Sequence, residues 1–281
     1  MSTTTKNADK ILLVETPAPH VLLLTMNRPS VLNAMSPELE EALARALDAF
    51  DADNSLWVCI VAGTGRVFCA GADLAAWQKR QSHSTSAGTE TSTLLASPHG
   101  FGALSRRTVS SKPIIAAVQG GAYGGGCEIV LNVDMVVAEE DAKFALPEVK
   151  RGVVAAAGGI PRILDGAGYQ LAAEMLFTGR TVSAKEAYER FRFVNVLAPK
   201  GQALKAALAL AGRVCEASPD AVRSSKRALV IARGEPGAER AYELHARSRE
   251  AEAVWHGQNI KEGLAAFVEK RKPKWTNPAK L

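Results

Sequence analysis

What this chain of 281 residues lacks narrows it first. No apolar run nears the ~20 residues of a membrane span. The longest are short, as at Ile11–Val14, Val21–Leu24 and Ile114–Val118. Cysteine is scarce, and Cys59, Cys69, Cys127 and Cys215 form no Cys-x-x-Cys pair. They read as reduced thiols in a reducing compartment rather than as disulfide staples. There is no Gly-x-x-x-x-Gly-Lys phosphate loop, no Gly-x-Ser-x-Gly elbow and no His-Glu-x-x-His metal motif. The glycines at 124–126 do not complete a dinucleotide fingerprint, because Ile129 stands where its last glycine belongs. The five histidines are scattered singly, which supports neither a metal nor a histidine-based triad. No basic block is long or interleaved with aromatics, so nucleic acid is disfavoured as a partner, as is a membrane. The first ten residues have neither the apolar core of a signal peptide nor the arginines of a transit peptide.

What remains is ordinary for a globular protein: 47% hydrophobic and 22% charged residues. A net charge of +5 suits an anionic small molecule. At about 150 residues per domain the length predicts two domains, or one large α/β domain with an appendage. Three segments share a plan of strand, glycine-rich turn and helix. They start at Leu56, Pro113 and Met135, which implies a wound α/β core. Ser36-Pro37 predicts a capped helix with Leu39, Leu43, Leu47 and Phe50 as its buried stripe. Residues 78–100, rich in Ser, Thr, His and Gly, read as a mobile loop. From about Gln202 the pattern turns helical, with Leu204, Leu208 and Ala211 as one stripe and a last helix from Asn259 to about Lys272. The expected division is therefore residues 1–200 as the α/β core and 201–281 as a helical region.

The residues that can carry chemistry begin at Gly124-Gly125-Gly126-Cys127-Glu128. Glycines admit a ligand close to the backbone, and a helix starting there aims free N–H groups at it. A helix-initial glutamate can simply complement the dipole in water. Yet Ile129, Val130 and Leu131 follow directly, which places Glu128 at a buried entrance. A second carboxylate, Glu148, follows Pro147 after one helix and a returning strand. If the two meet, they cannot both ionise comfortably, which suits acid–base work on a bound water. Spacing alone leaves that meeting open. A third piece, Phe68-Cys69-Ala70-Gly71-Ala72-Asp73, is another glycine-bearing turn. It could join the Gly125 turn in offering two amides to one oxygen, or merely need glycine for packing.

These pieces resemble the enoyl-CoA hydratase/isomerase (crotonase) superfamily. The likeness runs almost end to end. It takes in Asn27-Arg28-Pro29, Phe68–Leu74, Lys112–Val118, Gly124–Glu128, Pro147-Glu148-Val149, Ala157-Gly158-Gly159, Thr178-Gly179-Arg180, Ser218–Val222 and Glu262–Arg271. The resemblance implies a crotonase-like spiral of β-β-α units with a C-terminal helical trimerisation region, assembled as a homotrimer or dimer of trimers. It implies an acyl-CoA thioester substrate and no metal or redox cofactor. Amides matching Ala70 and Gly125 would form the oxyanion hole. Ala72, Asp73 and Leu74 would line the CoA path, and Phe267 and Lys270 would reach a neighbouring subunit's CoA. Glu128 would activate water for attack at Cβ of a trans-2-enoyl-CoA, and Glu148 would protonate Cα to give a 3-hydroxyacyl-CoA. A Δ3,Δ2-enoyl-CoA isomerase relying on one acid is the rival, followed by other lyases and hydrolases of the superfamily. An RNA-binding relative with a lysine comb is disfavoured, because the helix around Glu38–Phe50 is acidic apart from Arg45.

Three departures stand out. Gln119 and Val154-Ala155-Ala156 are expected to reshape the acyl pocket, and Arg192-Phe193-Val194-Asn195 to affect local packing. The final Ala279-Lys280-Leu281 is close to a Ser-Lys-Leu peroxisomal address. It predicts a peroxisomal location in a eukaryote and a cytoplasmic one in a bacterium.

Overall fold

The computed structural model describes residues 10–73 and 97–279. Leu74, most of the loop expected at 78–100, and Lys280-Leu281 of the terminal tripeptide lie outside the described residues. The chain opens with the hairpin β1 (Leu12–Ala18) and β2 (Val21–Met26). Helix α1 (Pro37–Ala52) follows, with the Ser36 hydroxyl accepting from the Leu39 N–H at 3.4 Å. Its buried stripe is Leu39, Leu43, Leu47 and Phe50, as the periodicity predicts. Each such side chain contributes about 1.5–3 kcal/mol by leaving water. Next come β3 (Val58–Gly63), β4 (Ile114–Val118), the short β5 (Gly121–Tyr123) and α2 (Gly125–Asn132). Strands β6 (Met135–Glu139) and β7 (Lys143–Ala145) lead to helices α3 (Gly159–Ala167) and α4 (Tyr169–Thr178). Then β8 (Val182–Ser183), α5 (Ala184–Glu189) and β9 (Val196–Ala198) complete the strands.

The main sheet runs β1-β2-β3-β4-β6-β9 and is parallel except for the first pair. Its inner strands are nearly continuous apolar runs because both faces are covered. Leu22, Leu24, Cys59, Val61, Ala116 and Val118 point to the face carrying α1 and α2. Their neighbours Val21, Leu23, Ile60, Ile115 and Ala117 point to the other face, where Ala203, Ala207 and Ala211 of α6 (Ala203–Cys215) pack. Alanine lets that helix lie close to the strands. Of the stripe expected at Leu204, Leu208 and Ala211, Ala211 is buried and Leu208 packs at its margin, while Ala203 takes the inward place and Leu204 is exposed. Helix α6, the first element beyond residue 200, packs on the sheet and shares its core.

Beyond it lie α7 (Pro219–Gly234), α8 (Ala238–Ala246), α9 (Arg249–His256) and α10 (Gln258–Val268). The last helix ends earlier than its sequence pattern predicts. Lys226 anchors α7 by donating to the Asp134 carboxylate and the Lys112 carbonyl, both at 2.8 Å. Leu229, Tyr242, Trp255, Leu264, Phe267 and Val268 of this region are exposed. Among the described residues no helix is long and apolar enough to cross a membrane.

The second sheet, β5-β7-β8, is small and decides where the chemistry sits. Cys69 bridges Ala122 in parallel, and β5 pairs with β7 in parallel. Three segments remote in sequence therefore run side by side and end together: 68–73, β5 leading into α2, and β7 leading to Glu148.

Candidate active site

Gly124 connects β5 to α2 with φ 55° and ψ −128°, a conformation that a side chain strongly disfavours. Its N–H donates to the Ala145 carbonyl at 2.9 Å, locking the helix start to β7. Glu128 then falls in the first turn of α2 and is 3% exposed. Its Oε1 accepts from the Gly159 N–H at 2.8 Å, at the N-terminus of α3. Burial is the main force pushing this carboxyl up to about 7, and the negative charge of Glu148 adds to it. The amides of Gly159 and Ala157 and the Arg162 guanidinium pull the other way.

Glu148 opens a short 3-10 turn, Glu148–Arg151, directly after Pro147. Burial raises its carboxyl above the usual range as well. One oxygen, Oε1, faces Gly124 so closely that a Cβ there would lie 3.1 Å away. The other, Oε2, is buried without a hydrogen-bond partner. Such an acceptor is costly unless something binds it. Both carboxylates line one cavity of about 750 Å³, together with Phe101, Gly125, Ala72 and Val154. The two acids whose meeting spacing left open thus border the same cavity.

The 68–73 turn closes against the same helix start. A Cβ on Gly71 would lie 2.7 Å from the Tyr123 carbonyl oxygen and 3.6 Å from the Gly125 amide nitrogen. The Ala70 amide, expected as an oxyanion donor, is committed elsewhere: it donates to the Leu32 carbonyl at 3.0 Å. Two residues on, the bridge between Met35 and Ala72 uses the Gly71 carbonyl and the Asp73 amide. That leaves the Ala72 N–H outside the bridge, and it has no partner among the described residues. The Gly125 N–H, at the first position of α2, has none either. The donor pair that the geometry offers is therefore Ala72 and Gly125.

The other sequence-predicted residues fall as follows. Asp73 lines the cavity and pairs with Arg28 at 3.5 Å. Phe267 is exposed, and neither it nor Lys270 lines this cavity within one chain. Gln119 does not shape the pocket: its amide donates to the carbonyls of Gly63 and Val67 at 2.6 and 3.2 Å. Val154 and Ala156 do line it. The Arg192 segment is a packing feature, as expected. Arg192 holds φ 59°, and Phe193 meets Phe144 edge-on at 5.1 Å. Sequence reasoning missed Phe101, whose ring lies where a Cβ on Gly125 would come within 2.6 Å. It also assigned no role to the Gly159 amide; the adjacent glycines in Ala157-Gly158-Gly159 were the available signal. Among the described residues no three His, Cys, Asp or Glu side chains converge on a metal position.

The α/β core thus sets the Gly125 amide of the β5–α2 turn and the Ala72 amide of the 68–73 segment, both without partners among the described residues, on one cavity with buried Glu128 and half-buried Glu148. Comparison with known proteins gives the family. The enoyl-CoA hydratase/isomerase family profile matches residues 18–278. A mevalonyl-coenzyme A hydratase of Aspergillus fumigatus is 41% identical over 274 residues, covering 96% of each chain. A 2,3-dehydroadipyl-CoA hydratase of Escherichia coli is 34% identical, covering 90% of this chain and 94% of the relative. The crystal structure of an enoyl-CoA hydratase from Mycobacterium tuberculosis H37Rv superposes with a TM-score of 0.84 at 37% identity, covering 95% and 99% of the two chains. The chain belongs to the enoyl-CoA hydratase/isomerase family.

Proposed function

We propose that this protein is an enoyl-CoA hydratase working by paired-glutamate acid–base catalysis. The observation that carries the reading is a buried and a half-buried carboxyl, both raised, on one cavity with the amides of Ala72 and Gly125, which have no partner among the described residues. Glu128, ionised, takes a proton from a water whose oxygen adds to Cβ of a trans-2-enoyl-CoA. The displaced electron pair moves through Cα to the thioester oxygen, which the two amides stabilise. Each such donor typically contributes a few kcal/mol at the transition state. Glu148, protonated, then delivers its proton to Cα, giving the 3-hydroxyacyl-CoA. Dehydration runs through the same groups in reverse.

For the acyl group, the likeness to two fungal mevalonyl-coenzyme A hydratases, at 41% and 40% identity, supports a short polar chain of that type. Val154 and Ala156 would be among the residues meeting it. For assembly, the exposed apolar side chains of α7–α10 support burial against further copies of the chain, as a homotrimer or dimer of trimers.

The test is a panel of enoyl-CoA and 3-hydroxyacyl-CoA esters, mevalonyl-CoA included, followed by conjugated-thioester absorbance. Glu128→Gln and Glu148→Gln should each lower kcat by at least about 100-fold. An isomerase depending on Glu148 alone would keep much of its rate in Glu128→Gln. Full turnover in both variants would overturn the assigned roles.

A further inference from the structure

We infer that Arg162 is a positioning residue for the Glu128 carboxylate, acting through the single peptide unit that joins Gly158 to Gly159. The inference rests on the hydratase reading for its catalytic meaning, but its geometry stands independently. The Gly159 N–H donates to Glu128 Oε1 at 2.8 Å. The carbonyl at the other end of the same peptide unit, that of Gly158, accepts from Arg162 Nη1, also at 2.8 Å. Cation, carbonyl, amide and carboxylate thus lie in series, and the guanidinium polarises the N–H that faces Glu128. Arg162 is itself aimed from the far side: its Nε donates to Asn132 Oδ1 at 2.5 Å. Asn132 closes α2, the helix that carries Glu128 in its first turn. Its amide is fixed to the carbonyls of Leu104 and Arg107 at 2.5 and 3.2 Å. The base and its amide donor sit on different helices, and Arg162 joins the two.

The charged groups around this relay are few. Glu148, from the turn after Pro147, faces Glu128 and opposes its ionisation. Arg233 of α7, Arg106 and Asp165 of α3 surround Arg162, with Arg233 paired to Asp165 at 2.8 Å. Arg162 acts on Glu128 in favour of the ionised form that a base requires.

The experiment follows the Glu128 carboxyl directly, by carbon-13 NMR of full-length protein with labelled glutamate, the resonance being assigned by its absence in Glu128→Gln. Arg162→Gln should raise its midpoint by about one pH unit or more. Arg162→Lys, which keeps the cation, should restore most of that. In steady state, Arg162→Gln should lower kcat at pH 7 by at least about fivefold, with KM unchanged within about twofold. A midpoint unmoved in Arg162→Gln, with only a lower melting temperature, reduces Arg162 to a staple between helices and overturns the inference. Should Arg162→Gln fail to fold, Asn132→Ala decides: by freeing the guanidinium it should raise the midpoint to a smaller degree, and no change there overturns the inference. The titration needs no substrate. A wild type that hydrates no enoyl-CoA therefore refutes the functional reading, and an unmoved midpoint refutes this one.

Discussion

Replacing Glu128 by glutamine should stabilise the fold while abolishing turnover, and the gain should depend on pH. The carboxyl ionises at about 7 in the folded chain, against an ordinary 4.5, chiefly because it is buried. A carboxyl that holds its proton more tightly when folded makes the protein most stable below about pH 4.5. That contribution is lost as pH rises through the folded value near 7. The gap, at about 1.4 kcal/mol per pH unit, corresponds to about 3 kcal/mol of stability lost by pH 8. Glutamine has nearly the same shape, its side-chain oxygen can still accept from the Gly159 N–H, and it has no charge to bury. The variant and wild type should therefore be nearly equal in urea unfolding at about pH 4. The variant should gain progressively between pH 5 and 7, reaching an advantage of about 3 kcal/mol at pH 8. In wild type, kcat/KM should rise with pH along a limb centred near 7, as the base ionises. A stability difference that stays flat from pH 5 to 8 would refute the claim that this buried carboxyl is strained by its own charge.

Three further substitutions test other parts of the argument. Gly125→Ala places a Cβ 2.6 Å from the Phe101 ring beside the proposed donor amide; kcat should drop at least about 100-fold with the fold retained by circular dichroism. Lys112 is 1% exposed, its ammonium donates to the Phe50 and Asp53 carbonyls, and burial lowers it to about 8. Lys112→Met orphans those carbonyls and should cost about 2–4 kcal/mol in chemical denaturation. Arg192→Gly relieves a side chain held at φ 59° and should stabilise by about 1 kcal/mol, read as a higher urea midpoint with unchanged activity.

Much of the fold is legible in the chain itself. Continuous apolar strands such as Ile114–Val118 predict a parallel sheet covered on both faces. The Leu39–Phe50 stripe predicts α1, and Ser36-Pro37 its start. Glu128 and Glu148 are recognisable as candidates because the first follows three glycines into an apolar helix and the second follows Pro147. That Ala203 and Ala207 rather than Leu204 lead the buried stripe of α6 was not legible. An alanine-rich helix offers several faces of similar hydrophobicity, and only its approach to β3, β4 and β6 selects Ala203, Ala207 and Ala211. The helix α9 was missed for a similar reason: its Arg249–His256 segment is mostly polar and is defined by its Ser248 cap.

Local patterning, then, determined the strand and helix content, the glycine turns and the two acids, because side-chain periodicity and backbone freedom are properties of short segments. Which amide is free was decided by the tertiary structure. The Leu32 carbonyl takes the Ala70 N–H, while parallel pairing of Cys69, β5 and β7 brings Ala72, Gly125 and Glu148 to one end of a small sheet. The ionisation of Glu128 was decided there too, since its displacement comes from the packing that removes water and from the helix end and guanidinium of α3 that partly offset the loss.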